Sequence, residues 1–193
     1  MAIIIKDSED FEQYIIDGVA KFNESIEEIK FFTDADIEVK GHINCKRITA
    51  RSIIARDIKA TFINIYRGGI EADFINCMDL TVHTNGLIKV RGIRVRGNIH
   101  TYGDIDVDYD LNVGGEIKAA AIKSRVHVSG SVKALEIKSK RLMSWGHITT
   151  GPIEADIIIC SGIKAGLIDA GTLDCGSGTL EANEVDAGSV YAH

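Results

Sequence analysis

From Ile37 to the C-terminus, a large apolar residue, any residue, and then a small or slim one recur as a triplet every five to seven positions. The triplet reads Ile48-Thr49-Ala50, Ile53-Ile54-Ala55, Ile58-Lys59-Ala60, Ile70-Glu71-Ala72 and, near the end, Ile163-Lys164-Ala165 and Ile168-Asp169-Ala170. Side chains alternate faces along a strand, so each triplet points two residues inward and one outward. The two or three residues left over are enough to turn a corner and no more. Short strands turning at such regular intervals wind into a solenoid, in which each coil buries its apolar face against the next.

Leading residues run almost without a break from Ile37, Ile43 and Ile48 to Leu180, Val185 and Val190. Three units make a coil of about 15 to 18 residues, giving about nine coils and a rod roughly 40 to 45 Å long at the inter-strand spacing. The expected fold is therefore all-β: a single-stranded parallel β-helix, triangular in section and right-handed. The 19 glycines and single proline suit many tight turns. At 193 residues the chain is long enough for one folded unit.

Residues 8 to 30 follow another period. Phe11, Tyr14, Ile15, Val19, Phe22, Ile26 and Ile29 recur at steps of three or four, apart from the adjacent Tyr14 and Ile15, which predicts one face of an amphipathic helix. The domain reading is thus a strand and helical cap over residues 1–36, shielding the first coil, and a β-solenoid over 37–193.

Cys45, Cys77, Cys160 and Cys175 each fill the small slot of a triplet. Small buried thiols are expected there, since no pair has the spacing of a zinc or redox motif. No apolar run approaches the roughly 20 residues of a membrane span, and the N-terminus lacks a signal-peptide pattern. The expectation is a cytoplasmic protein.

Charge is segregated along the chain. Residues 1–45 carry 4 basic against 11 acidic side chains, residues 46–141 carry 17 against 10, and residues 142–193 carry 1 against 7. In a solenoid, position in sequence maps onto position along the axis, so the rod should be basic at its waist and acidic at both ends. The basic belt is read at Arg47, Arg51, Arg56, Arg91, Arg94, Arg96, Lys138, Lys140 and Arg141. A solvated surface and a nucleic-acid or acidic-protein contact both fit such a belt.

Asp104, Asp106, Asp108 and Asp110 alternate with apolar or aromatic residues, which predicts one outward acidic face and makes the first three weak candidates for a divalent cation. The six histidines are scattered. Without a nucleophile–base pair or a metal set, neither a catalytic residue nor a cofactor is expected. At the C-terminal end the triplets continue through Val190 and Tyr191. Leu180, Val185, Val190 and Tyr191 are therefore expected to form an interface joining two copies in a homodimer.

The pattern resembles the bactofilin family of polymer-forming cytoskeletal β-helices. The resemblance rests on Gly69-Ile70-Glu71-Ala72-Asp73 and Pro152-Ile153-Glu154-Ala155-Asp156, with looser copies at Gly41-His42-Ile43-Asn44-Cys45 and Gly97-Asn98-Ile99-His100-Thr101. A weaker resemblance is to pentapeptide-repeat proteins, whose unit places the small residue before the large one. The bactofilin likeness implies a non-enzymatic structural protein that self-associates. The alternative is a small binding module or inhibitor that docks on a nucleic acid or on an enzyme handling one.

Overall fold

The computed structural model describes residues 3–4, 11–17, 19–22, 26–27, 30–32 and 35–191. Almost every described residue lies in a parallel strand, and the strands stack into a β-solenoid of about nine turns. Registers between coils resolve into three ladders, one for each side.

On the first side Ile37, Ile53, Ile70, Ile88, Ile105, Ile122, Ile137 and Ile153 stand in line. The second side aligns Ile43, Ile58, Ile75, Ile93, Leu111, Val126, Leu142 and Ile158. Ile48, Ile63, Leu80, Ile99, Ile117, Val132, Ile148 and Ile163 form the third. Along the first side, partners as close as Ile122 and Ile137 and as distant as Ile70 and Ile88 set a coil of 15 to 18 residues. Strand Pro152–Asp174 is long enough to stack on itself, and the Gly166 N–H donates to the Gly151 carbonyl at 2.9 Å. Its last turn pairs Ile163, Ile168 and Leu173 with Leu180, Val185 and Val190.

This is the architecture that the triplets demand. From Ile37 to Leu173 every leading residue is at most 3% exposed, and burying each such aliphatic side chain contributes about 1.5 to 3 kcal/mol. The trailing small residues Ala55, Ala60, Ala72, Ala155, Ala165 and Ala170 line the same core. Corner lengths vary, and registers shift between Val90 and Ile93, Asp106 and Asp110, and Lys123 and Val126.

The N-terminal region departs from expectation. At every described residue from Ile15 to Phe32 that belongs to a regular element, the helix expected over residues 8–30 is replaced by strand. Val19–Phe22 runs parallel to Asp36–Val39, Ile26–Glu27 pairs with Ile43–Asn44, and Lys30–Phe32 with Arg47–Thr49. The solenoid therefore contains a coil before Ile37. Its first triplet is inverted: Ala20 stacks on Ile37 and Phe22 on Val39, with Ala20 fully buried and Phe22 2% exposed. The small residue leads and the large one trails, so total core volume is kept while the apolar spacing mimics a helix.

Closure of this end is aromatic. Phe11 is buried with its ring centroid 5.6 Å from that of Phe22, and Tyr14 lies 4.9 Å from Phe22. Ile15–Ile16 turns back antiparallel onto Val19–Ala20 through Asp17, whose φ is 51°. Phe11 and Glu12, which precede it, are helical, and the Tyr14 N–H donates to the Phe11 carbonyl at 3.0 Å. Residues 8–10, 18, 23–25 and 28–29 of the expected helix lie outside the described residues.

Candidate functional site

Two surfaces stand out, an apolar end and a charged side. At the C-terminal end the last coil, Leu180–Tyr191, continues the ladders, and no described residue covers it. Leu180, Val185 and Val190 are 37%, 40% and 50% exposed, against 3% or less for their counterparts in all earlier coils from Ile37 onward. Tyr191 is exposed beside them, and Ala182 and Ala187 are half-buried. The same coil presents a strand edge to solvent, so three ladder ends and unpaired backbone groups share one surface. The four residues read as an interface from the sequence are thus brought together.

The charged side is built from the outward middle residues of the first ladder and the corner residues that follow them. Coil by coil, the pairs are Glu71 and Asp73, Lys89 and Arg91, Asp106 and Asp108, Lys123 and Arg125, Lys138 and Lys140, then Glu154 and Asp156. Each coil contributes two like charges, and the sign reverses at most coil boundaries. Opposite charges across a ladder attract and like ones repel. Accordingly Arg91 meets Asp73 at 3.7 Å, Lys123 meets Asp106 at 3.8 Å and Lys138 meets Glu154 at 3.6 Å. These pairs are largely exposed and each is worth about 0 to 1 kcal/mol.

The belt read from the sequence does not lie on one side. Arg56, Arg91, Lys140 and Arg141 follow the first ladder, with Lys138 in its outward column, whereas Arg94 sits on the second side, Arg96 and Arg47 flank the corner before the third, and Arg51 follows the third. Several are paired: Arg51 with Asp36 at 3.6 Å, and Lys138 also with Glu136 at 3.6 Å. Arg47 and Arg91 cover the rings of Phe62 and Tyr109 at 5.2 and 5.5 Å. Lys123 and Arg125 belong to the charged side although the sequence reading passed over them. Reading outward residues at the period of a whole coil, rather than of one triplet, finds them.

The aspartate row bends. Asp106 stays in the first outward column, Asp108 falls at the corner, and Asp110 pairs in register with Arg125 at the start of the second side, after a register shift. The expectation of one shared face is therefore corrected for Asp110: a strand alternates only until it turns. Among the described residues, no three His, Cys, Asp or Glu side chains are grouped so as to hold a metal ion.

Cys77, Cys160 and Cys175 are free thiols in the core, as read from their small slots. The Cys45 side chain is outside the described set. Burial, then the Asp79 charge, pushes the Cys77 thiol up to about 12. Burial does the same for Cys160, also to about 12, with Cys175 adding to it; the two sulfurs lie 3.7 Å apart on successive coils.

His83 Nε2 lies 2.7 Å from Asn64 Oδ1, and the His100 ring stands 5.4 Å from that of Tyr102. Tyr66 and Tyr102 follow the third ladder while Trp145 follows the second, so these three aromatics do not share one side. Among the described residues no helix is long and apolar enough to cross a membrane. No family model, curated protein or solved structure matches the chain.

Proposed function

We propose that this chain is a non-enzymatic structural or assembly protein of bactofilin-like kind, which self-associates through its C-terminal coil. The observation that carries this reading is the exposure of Leu180, Val185 and Val190 at the head of ladders that are otherwise sealed. The occupant is a second copy of the same end. A two-fold axis across the rod brings the two terminal coils together with their strands antiparallel, so the strand edges pair and the apolar ladder ends meet. Rods joined in this way leave the aromatic N-terminal ends outermost.

Sedimentation of the wild type against a Val185→Asp/Val190→Asp variant tests this. The wild type should sediment as a dimer and the variant as a folded monomer with unchanged circular dichroism. A wild type that is monomeric at all concentrations, or a dimer indifferent to both substitutions, would overturn the reading. Electron microscopy of the wild type separates discrete dimers from longer assemblies.

A further inference from the structure

We infer that the junction of the Lys123 and Lys138 coils is a binding site for a compact, multiply charged oxyanion of the phosphate class. Along the first side the charge reverses from coil to coil until this junction, where one doubly basic coil lies directly on another: Lys123 pairs in register with Lys138, and Arg125 and Lys140 follow them. Like charges directly opposite are destabilising in a sheet, and the fold places four of them together. The four cations share a groove of about 510 Å³ with Ser124 and Ser139, and its two ends are lined by carboxylates, Asp106 and Asp108 at one and Glu154, Asp156 and Asp169 at the other. Lys123 and Lys138 have carboxylate partners in Asp106 and Glu154. Among the described residues Arg125 and Lys140 form no ion pair, and both are exposed.

Geometry sets the size of the ligand. Adjacent coils are about 4.8 Å apart, so Lys123 and Lys138 stand one inter-strand spacing from each other, with Arg125 and Lys140 at the corner that follows them. One phosphate or a linked pair fits this patch, with Arg125 able to grip two oxygens at once and the lysines acting as point charges. A doubly acidic coil bounds the patch on either side, Asp106 and Asp108 on one, Glu154 and Asp156 on the other. A long polyanion laid along the groove would meet those carboxylates within one coil in both directions, which favours a small anion over a nucleic acid. Lys138 and Lys140 lie three coils before the terminal one, so the cations take no part in the proposed self-association.

Calorimetric titration of the full chain with pyrophosphate at low salt tests the assignment. The Arg125→Gln/Lys140→Gln variant should lose at least tenfold in affinity, Lys89→Gln, on a basic coil flanked by acidic ones, should change it less than twofold, and Asp156→Asn should tighten binding. The assignment is overturned by absence of pyrophosphate binding, by equal loss in Lys89→Gln, or by a duplex oligonucleotide that binds more tightly than pyrophosphate. Circular dichroism of each variant shows that the coil persists, since all the altered side chains are on the surface.

Discussion

A core isoleucine in this chain is interchangeable in role but not in consequence. Ile105 is 1% exposed between Ile88 and Ile122, so Ile105→Ala leaves a cavity with neighbours on both sides and should cost about 2 to 5 kcal/mol by urea unfolding. The thiols make a second prediction at this scale. An unfolded cysteine ionises near its ordinary 9.0, whereas folded Cys77 and Cys160 resist to about 12. Between those values the unfolded chain loses protons that the folded chain keeps, so stability falls as pH rises above 9, by about 1.4 kcal/mol per pH unit for each thiol. Urea midpoints measured from pH 8 to pH 11 should show this fall, and Cys77→Ala should flatten it. In native protein at pH 8 the described thiols should resist iodoacetamide until the coil unfolds. The inward role of these residues was legible from the triplet. The 3.7 Å contact between Cys160 and Cys175 was not, because it depends on the coil length at that point.

Between residue and rod, the corners decide how coils register. Before the third side, the Asn98 N–H donates to Asp79 Oδ1 at 2.8 Å, and Asn98 Oδ1 accepts from the Glu116 N–H at 2.8 Å. One residue thus links three successive coils at a corner, by its backbone N–H on one side and its side chain on the other. Glycine is required beside it: a Cβ on Gly97 would lie 2.2 Å from Asp79 Oδ1, and one on Gly115 2.3 Å from Asn98 Oδ1. Asn98→Ala removes the second bond and should cost about 0.5 to 1.5 kcal/mol, while His100→Ala, outward on the same strand, should stay within about 0.5 kcal/mol. Chemical denaturation of the two variants in parallel checks the contrast. The glycines at these corners could be seen in the sequence as turn signals, but their reason, an acceptor from the preceding coil, lies some 18 residues away. The N-terminal coil shows the opposite failure. Ala20 and Phe22 exchange the usual sizes of leading and trailing residues, and a template of large before small passes over them even though the backbone pairing is the same.

Among the described residues, the solenoid is closed by aromatic packing at one end and shows its ladders at the other. If rods join through the Leu180–Tyr191 coil, the maximum dimension in small-angle scattering should be near 90 Å, about twice that of a single stack of nine turns. Val185→Asp/Val190→Asp should return it to about half. A side-by-side dimer would keep the shorter dimension and argue against end pairing. The banded charge acts at the same scale. Between Glu71 and Asp156, four of the five coil boundaries set a like-charged pair against its opposite, so a shift of one coil there would set like against like. The pattern therefore favours one stacking order even though each exposed pair adds little stability.

The amino-acid sequence alone determined the inward columns, because alternation along a strand and the recurrence of a triplet are local properties that hold whatever the distant contacts are. The same local signal was enough for the β-solenoid, its coil size and the position of the apolar residues at its C-terminal end. Tertiary structure decided which outward residues become neighbours. Those pairings lie a whole coil apart, and each corner that gains or loses a residue moves them. This is why a belt of cations continuous in sequence is spread over three sides, while Lys123, Arg125, Lys138 and Lys140 meet in one groove.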